Sequence, residues 1–300
     1  MIESTLGQIR EWTGAAVLGI FAPQSVITGI STDTRQIKHG ELFVALRGQN
    51  YNGHDFVIEA FDRGAAAVVV DNDFVVNHVV GTILVVESPL VALGQIAKEY
   101  RCKFQIPVIC ITGSSGKTTT KEMIGAVLGK RFNVLKSLGS ENNEIGVPIT
   151  LLKLKEHHEV VVLELAARRQ GDIKYLCEIA QPTFGVLLNI GSAHLEHFES
   201  IEGVAKAKGE LLEYLDESLI ALINADDRVV CQEVQRTKGR LLTFGFQSES
   251  IFRGERLILD QESCGHFLFR GVKIDLKIPG RHNAYNALAA ISAGFELGVD

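Results

Sequence analysis

A strand, a glycine-rich turn and a helix start follow one another near residue 110, and this order constrains the fold more than any other feature of the chain. Apolar β-type residues run from Val108 to Ile111, and Thr112 ends the run. A turn of small residues follows, and Lys117 then opens a helical pattern. Such a loop must project from the carboxyl end of a strand within an α/β sheet. The order therefore predicts that this strand begins a sheet of its own.

The same turn has the composition of a phosphate-binding loop. Small residues let backbone N–H groups close around a phosphate, and a helix N-terminus adds partial positive charge. Lys117 can reach the outer phosphates, and the Thr118 hydroxyl can hold Mg²⁺. The long form of the pattern requires glycine where Ile111 stands, which leaves the short Gly-x-x-Gly-Lys-Thr form. We predict nucleoside triphosphate binding; the alternative is a glycine turn beside a surface lysine. The predicted contacts are Gly113, Ser114, Ser115, Gly116, Lys117, Thr118 and Thr119.

Apolar β-type runs alternate with helical patterns along almost the whole chain, which is typical of α/β proteins with mostly parallel sheets. A length of 300 residues accommodates about two domains. We place a small N-terminal α/β domain at residues 1–87 and a P-loop-type ATPase domain at residues 88–300. The predicted strands are 26–30, 42–46, 66–70, 83–86, 108–112, 134–135, 160–163, 184–188, 220–223 and 241–244, with a hairpin at 267–269 and 273–278. The predicted helices are 56–63, 89–101, 118–128, 145–154, 173–179, 204–215, 228–235 and 284–297.

Composition narrows the class of protein. A formal net charge of −6 argues against broad electrostatic binding of nucleic acid. The five cysteines include no Cys-x-x-Cys pair, so the sequence predicts neither a disulfide framework nor a zinc ribbon. Reduced thiols fit a cytoplasmic location. No apolar stretch is long enough for membrane insertion, and the N-terminus has no secretory signal pattern. We expect a monomer.

Two polar segments follow predicted strands and are candidates for metal binding. Glu164 ends the apolar run from Val160, where neighbouring strand ends converge on a bound phosphate, so we favour a second Mg²⁺ ligand over a solvated acid. His194 and His197 are three residues apart and could share a helical face as a metal pair. We favour one histidine near the Mg²⁺ region, and either of them could be an inert loop residue.

Other polar residues allow a structural or a functional interpretation. Lys208 stands in a helix where lysines usually face solvent. Asn142 and Asn143 suit a helix cap and are also placed to contact a substrate. The segment from Asn224 to Asp227 suits capping as well as ligand contact. Asn283 and Asn286 begin the final helix, where their amides could read a nucleobase or serve as caps.

Several of these segments together resemble the Mur ligases, the ATP-dependent amino-acid and peptide ligases of bacterial cell-wall synthesis. The resemblance covers essentially the whole chain. It rests on the segments 112–119, 142–148 (Asn-Asn-Glu-Ile-Gly-Val-Pro), 193–196 (Ala-His-Leu-Glu) and 280–286 (Gly-Arg-His-Asn-Ala-Tyr-Asn), and on 31–35, 40–46 and 52–56 in the N-terminal part.

The resemblance implies a reaction and a set of ligands. Segment 142–148 resembles the family type that adds D-alanyl-D-alanine to UDP-N-acetylmuramoyl-tripeptide through an acyl phosphate. Two Mg²⁺ ions are implied, with Lys208 carbamylated and acting with Lys117 and His194 in catalysis. The implied metal ligands are Thr118, Glu164, His194 and Lys208. The implied substrate contacts are Thr34, Arg35, Arg47, Asn142 and Asn143, and Asn283 and Asn286 would lie near the adenine and ribose.

The sequence departs from the family pattern in two places. Ala166 replaces a glycine after the acidic strand, and Arg168 and Arg169 follow it, which bears on how the peptide end of the substrate is held. The family also implies a third, C-terminal ligase domain that this sequence does not contain, so we expect weak or no turnover from residues 1–300 alone. The alternatives are a sister ligase that adds one amino acid, and a non-catalytic nucleotide-binding module.

Overall fold

A computed structural model describes residues 4–75, 81–191, 198–247 and 249–299. The chain divides into two compact units. Unit 1 comprises residues 1–105 and 148–156, and unit 2 comprises residues 106–147 and 157–300.

Unit 1 is built on a five-stranded sheet of order β2-β7-β6-β5-β4, in which only β2 is antiparallel to its neighbour. A short antiparallel pair, β1 with β3, stands apart from it. The strands are β1 (Ser4–Thr5), β2 (Ala16–Leu18), β3 (Val26–Ile27), β4 (Ile30–Ser31), β5 (Leu42–Val44), β6 (Ala67–Asp71) and β7 (Thr82–Val86), and the helices are α1 (Leu6–Thr13), α2 (Val57–Asp62) and α3 (Pro89–Arg101).

Unit 2 is built on a nine-stranded sheet of order β16-β15-β14-β13-β12-β11-β8-β10-β9, parallel from β9 through β14 and antiparallel at β15 and β16. The strands are β8 (Val108–Thr112), β9 (Val134–Lys136), β10 (Val160–Glu164), β11 (Phe184–Leu187), β12 (Ile220–Asn224), β13 (Arg240–Gly245), β14 (Phe252–Leu259), β15 (Cys264–Phe269) and β16 (Val272–Pro279). The helices are α4 (Lys117–Leu128), α5 (Gly146–Leu151, which crosses into unit 1), α6 (Asp172–Ala180), α7 (Ile201–Tyr214), α8 (Arg228–Glu233) and α9 (Arg281–Glu296).

The strand order places β8 at the switch point of the sheet. The chain runs from β8 outward on one side to β9 and β10, and then returns past β8 to β11 on the other side. In open α/β sheets, ligands bind in the crevice at the carboxyl ends of the strands where the order reverses. The fold therefore predicts a ligand site at the carboxyl ends of β8, β10 and β11.

Close packing of α9 on α4 fixes the helices around this edge. Ile109, Ile124 and Leu288 belong to one buried apolar cluster that joins β8, α4 and α9. Gly294 allows the close approach, since a β-carbon there would lie 2.3 Å from Val127 Cγ1. The apolar faces of both helices are thereby removed from water, which is the main stabilising contribution to such a unit.

The predicted fold class is confirmed: both sheets are mostly parallel and covered by helices. Helix 89–101 and the hairpin of β15 with β16 are present as predicted. The predicted strand 26–30 is instead two strands, because Thr28 N donates to Gly40 O outside the sheet. Strand β14 and helix α1 were not predicted. In β14 the consecutive residues Glu255 and Arg256 are both exposed, at an irregularity in the pairing with β15, and this interrupts the period of two.

The two compact units do not divide where the predicted domains do. The predicted boundary follows residue 87, whereas α3 packs on α1 and contacts β5 and β6. The first part of unit 1 therefore extends to Gln105. Among the described residues, no helix combines the length and the apolar character that crossing a membrane requires.

Candidate functional site

The loop between β8 and α4 ends on an open helix N-terminus. Gly116, the residue before the helix, has φ +78°, a left-handed conformation that favours glycine. Among the residues that the structure describes, no side chain caps α4. The first N–H groups of a helix have no carbonyl partner within the helix, and they carry partial positive charge. The start of α4 is thus suited to accept an anion.

Asn189 holds this loop in shape from the end of β11. Its side-chain Oδ1 accepts from Ser115 N at 2.9 Å, and its Nδ2 donates to Ser115 O at 3.1 Å. Its backbone carbonyl accepts from Ser114 N at 3.0 Å. Gly191 N donates to Ser114 Oγ at 2.8 Å. The conformation of the loop is therefore fixed by the neighbouring strand end as well as by its own glycines.

Lys117 is partly buried and lies over its own loop. Its Nζ donates to Gly113 O at 2.8 Å and to Ser114 O at 3.5 Å. Burial lowers the pKa of this ammonium, and the negative charge of Glu164 opposes the shift. A bound phosphate would replace the carbonyl acceptors with charged oxygens, which make stronger hydrogen bonds with an ammonium.

Glu164 is buried, at 2% exposure, and two side chains bond its carboxylate. Thr118 Oγ1 donates to Oε2 at 2.7 Å, and Asn142 Nδ2 donates to Oε1 at 2.7 Å. The three residues come from α4, from β10 and from the loop after β9. The structure thus brings together the predicted metal ligands Thr118 and Glu164, and it assigns Asn142 a direct contact with Glu164.

These oxygens fit a magnesium ion. Mg²⁺ prefers octahedral oxygen coordination at about 2.0–2.1 Å, which places adjacent ligand oxygens about 2.9 Å apart. Thr118 Oγ1 and Glu164 Oε2, at 2.7 Å, have nearly that separation. The part of the chain that the structure describes contains no cluster of three or more His, Cys, Asp or Glu residues able to hold a metal. One carboxylate with a hydroxyl suits Mg²⁺, which keeps several waters and phosphate oxygens.

Lys208 is a buried amine on α7. The residue is 2% exposed, and within the described ranges no hydrogen bond or ion pair satisfies its Nζ. Burial, with a smaller contribution from the positive charge of Lys117, lowers the pKa of Lys208 to about 8. An appreciable fraction of the amine is then neutral near physiological pH, and a neutral amine is a nucleophile.

Some predicted site residues lie outside the residues that the structure describes. His194 and His197 both belong to the undescribed segment 192–197. The proposed metal role of His194 therefore stays a prediction.

Asn283 and Asn286 are both buried at the start of α9. Asn283 Nδ2 donates to Pro279 O at 2.7 Å, and Asn286 Nδ2 donates to Asn283 Oδ1 at 3.0 Å. Asn286 also lies against Gly116, since a β-carbon on that glycine would be 2.4 Å from Asn286 Oδ1. The two amides are thus beside the loop between β8 and α4, and their contact with a nucleoside stays a prediction.

Asn143 and Asp227 serve as helix caps. Asn143 Oδ1 accepts from Gly146 N at 2.9 Å at the start of α5. Asp227 Oδ1 accepts from Val229 N and Val230 N, both at 3.0 Å, at the start of α8. The capping interpretation holds for both residues, and a substrate contact of Asn143 stays a prediction.

The turn after Glu164 is fixed by hydrogen bonds. Ala166 N donates to Asn142 O at 2.9 Å. The backbone N–H groups of Arg168 and Arg169 donate to Asp172 Oδ2 at 2.8 and 3.0 Å. Bonds of this kind hold the turn without a glycine at residue 166.

The predicted substrate residues of unit 1 include two arginines that are paired with carboxylates. Arg35 is bonded through Nε and Nη2 to Asp33, which lowers the pKa of Asp33 to about 2. Arg47 is bonded to Asp71 through Nε at 2.6 Å and Nη2 at 3.0 Å. Thr34 is buried. Each pairing limits the directions from which the guanidinium can meet a ligand, and the substrate contacts themselves stay predictions.

Asn189 and Lys121 were not among the residues predicted from the sequence. Asn189 follows a strand at the same edge as Glu164, so the rule that found Glu164 could have found it. Lys121 is fully buried on α4. Its spacing from Ile124 and Leu128 places it on the buried face of the helix, which is the signal that could have identified it.

Comparison with known families assigns both parts of the chain. The family described as the Mur ligase middle domain matches residues 111–294. The family described as the Mur ligase family, catalytic domain, matches residues 26–108.

Relatives and solved structures agree with this assignment. UDP-N-acetylmuramoyl-tripeptide--D-alanyl-D-alanine ligase of Synechocystis is 42% identical over 91% of this chain and 59% of its own length, and the Bacillus subtilis protein of that name is 37% identical over 100% and 65%. MurF from Acinetobacter baumannii superposes with a TM-score of 0.91 at 32% identity, covering 99% of this chain and 66% of that one. MurF ligase from Thermotoga maritima, solved in complex with ADP, has a TM-score of 0.80 at 34% identity, with 91% and 64% covered. The chain spans roughly three fifths to two thirds of the relatives it matches, and it belongs to the Mur ligase family.

Proposed function

We propose that this chain is part of an ATP-dependent ligase that joins D-alanyl-D-alanine to UDP-N-acetylmuramoyl-tripeptide in peptidoglycan precursor synthesis in the cytoplasm. The relatives at 37–42% identity carry the name of that reaction. The observation that carries the proposal is the contact of Thr118 Oγ1 with Glu164 Oε2 at 2.7 Å, at the start of a helix that no side chain of the described residues caps.

ATP would be held by the loop and by the first turn of α4. Backbone N–H groups of that turn and the Lys117 ammonium supply positive charge to the β- and γ-phosphates. The ADP of the Thermotoga maritima relative supports this assignment. Asn283 and Asn286, buried beside Gly116, would contact the adenosine part.

Magnesium would be held by Thr118 and Glu164, with His194 as a further ligand. When bound, Mg²⁺ neutralises phosphate charge and orients the transferred phosphoryl group. The chain itself contributes orientation, since Asn142 fixes one oxygen of Glu164 and leaves the other directed at Thr118.

Lys208 would become an anionic ligand through carbamylation. Its neutral amine can attack CO₂, and loss of a proton leaves a carbamate, which carries a negative charge. A carbamate would bind a second Mg²⁺ that a bare ammonium repels. The burial of Lys208 and the absence of a partner for it among the described residues support this reaction.

The reaction then has two steps. The terminal carboxylate of the tripeptide attacks the γ-phosphorus, ADP leaves, and an acyl phosphate forms. The amine of D-alanyl-D-alanine attacks the acyl carbon, phosphate leaves, the amine loses a proton, and an amide results. Because negative charge accumulates in both steps, the chain acts by positioning and electrostatic stabilisation, with Lys117 and the loop N–H groups beside the phosphates.

The complete protein that contains this chain tests the proposal. We expect release of ADP and phosphate together with the UDP-muramoyl pentapeptide when ATP, UDP-muramoyl tripeptide and D-alanyl-D-alanine are all present, and none when the dipeptide is omitted. Product formed with a single amino acid would favour a sister ligase. ATP binding without any ligation, unchanged by Glu164→Gln, would favour a non-catalytic module.

A further inference from the structure

Lys121 is a completely buried cation that no assigned role explains. Its side chain is 0% exposed, and its Nζ donates to Gly139 O at 2.8 Å. Removing an ammonium from water is costly unless its partners replace the lost hydration. The contact with Gly139 therefore indicates a strongly held position of the loop that contains it.

Glu122 provides the compensating charge. Its Oε1 lies 3.2 Å from Lys121 Nζ, and its Oε2 bonds to Lys136 of β9. The two ammonium groups, with the hydrogen bond from Lys136 as the larger cause, lower the pKa of Glu122. The Glu122 side chain is 47% exposed, so one partner of the buried Lys121 is accessible to solvent.

The loop that Lys121 holds is the one that carries Asn142. Gly139 and Asn142 both lie between β9 and α5, three residues apart. Asn142 donates to Glu164 Oε1 at 2.7 Å and accepts from Ala166 N at 2.9 Å through its backbone carbonyl. Asn142 thus connects the loop to both the side chain of Glu164 and the backbone after it.

These contacts form a closed circuit that begins and ends on α4. Thr118 bonds Glu164, Glu164 accepts from Asn142, and the loop returns to α4 where Gly139 accepts from Lys121. Thr118 and Lys121 are three residues apart, on adjacent positions of one helical face. α4 therefore holds Glu164 directly through Thr118, and indirectly through Lys121 and the loop that carries Asn142.

We propose that Lys121 is a positioning residue for the metal site: by holding Gly139 it places Asn142, and Asn142 fixes the orientation of the Glu164 carboxylate. The inference depends on the proposed role of Glu164 in binding Mg²⁺. Loss of Lys121 releases the loop between β9 and α5 and frees Oε1 of Glu164. The loop between β8 and α4, which Asn189 holds by hydrogen bonds, stays intact. The consequence is weaker Mg²⁺ binding with little change in metal-free nucleotide binding.

The test uses the complete protein and a fluorescent ATP analogue, titrated with Mg²⁺ and also measured in EDTA. Lys121→Met keeps an unbranched side chain, one heavy atom shorter, and removes the charge. We expect it to raise the Mg²⁺ concentration for half-maximal binding by about tenfold or more, the range found for residues that orient metal ligands, with affinity in EDTA unchanged. Lys130→Met, at an exposed site just after α4, is the control and should behave like the wild type.

A double-variant cycle separates positioning from general stability. If Lys121 acts through Asn142, adding Lys121→Met to Asn142→Ala raises the Mg²⁺ requirement no further, because coupled residues are not additive. Additive effects, or a wild-type Mg²⁺ requirement in Lys121→Met, overturn the inference. If the nucleotide affinity of the wild-type protein does not change with Mg²⁺ concentration, the proposed function is contradicted instead.

Glu122→Gln covers the case in which Lys121→Met does not fold. Glu122 is half-exposed, and the substitution removes the negative charge that Lys121 and Lys136 share. We expect a smaller increase in the Mg²⁺ requirement, absent in the Asn142→Ala background. An unchanged requirement in Glu122→Gln, when Lys121→Met is unfolded, also overturns the inference.

Discussion

Asn286 occupies the space that a side chain on Gly116 would need. An ideal β-carbon at Gly116 would lie 2.4 Å from Asn286 Oδ1 and 3.0 Å from its Nδ2. Asn286 cannot easily move away, because its Nδ2 donates to Asn283 Oδ1 inside the unit. The start of α9 therefore packs closely against the loop that precedes α4. This packing requires a residue without a side chain at position 116.

Gly116→Ala should reduce both stability and nucleotide affinity. The left-handed conformation at φ +78° costs a residue with a β-carbon about 1–2 kcal/mol, and the contact with Asn286 adds to this. We expect at least about a tenfold loss of ATP affinity, equivalent to about 1.4 kcal/mol, by calorimetry.

Gly171→Ala is the matched control for Gly116→Ala. Gly171 also precedes a helix, at φ +92°, but nothing lies within 4 Å of its β-carbon position. This variant should lose stability through strain alone and bind ATP normally. Equal ATP affinity in the two variants would show that the Asn286 contact has no effect on binding.

Lys208→Met should stabilise the protein against urea at pH 7 in CO₂-free buffer and abolish ligation by the complete protein. The pKa of Lys208 is lowered to about 8 by burial, from 10.5, so the charged form is disfavoured by folding. That difference corresponds to at most about 3 kcal/mol, reduced by whatever packing the methionine fails to reproduce.

The sign of the pH dependence follows from the same shift. Between pH 8 and 10.5 the unfolded chain binds the Lys208 proton and the folded chain does not, so this group makes wild-type stability rise with pH. The advantage of Lys208→Met should therefore be full below pH 8 and shrink toward pH 10.5. A constant difference across this range, measured by urea unfolding, would contradict the assignment.

His266→Gln should destabilise the sheet edge most at mildly acidic pH. The ring of His266 contacts Asp275 Oδ1 at 2.5 Å and Asp260 Oδ2 at 3.0 Å, and these carboxylates raise the pKa of His266. Their own pKa values are lowered, chiefly by the hydrogen bond with His266.

The raised pKa of His266 and the lowered pKa values of its two carboxylate partners define the pH range in which these contacts stabilise the fold. A raised histidine pKa contributes stability that is present below about 6.5 and lost as pH rises through the folded value. The lowered carboxyl pKa values contribute stability that is present above about 3.8 and lost in stronger acid. The melting temperatures of wild type and His266→Gln should differ at pH 5.5 and converge by pH 9. A difference in melting temperature that stays the same from pH 5.5 to pH 9 would contradict this assignment.

The hydrophobic periodicity and the composition of the sequence could predict which segments lie at the carboxyl ends of the strands of unit 2. They could not predict which residues of those segments contact one another. The run before Lys117, the acid at the end of β10 and the polar segment before α5 all follow from strand and helix patterns. That Asn142 bonds Glu164 and that Asn286 lies on Gly116 depends on strand order and on contacts across 22 and 170 positions of sequence, which no local pattern encodes. Lys121 was missed because lysine in a helix is usually solvated.

Thr112→Val and Thr120→Val should have opposite effects on stability, although both threonines are 0% exposed and flank the same loop. Thr112 Oγ1 donates to Leu165 O at 3.0 Å, so valine leaves a buried carbonyl without this donor and should cost about 1–3 kcal/mol. Thr120 Oγ1 is buried with no partner among the described residues, so valine, nearly equal in shape, removes an unsatisfied group. We expect Thr120→Val to be neutral or stabilising by about 1 kcal/mol, since removing an unpaired hydroxyl ends its desolvation penalty. Urea unfolding of the two variants measures the difference. A loss of stability in Thr120→Val similar to that in Thr112→Val would mean that its hydroxyl has a bonding partner, such as a buried water.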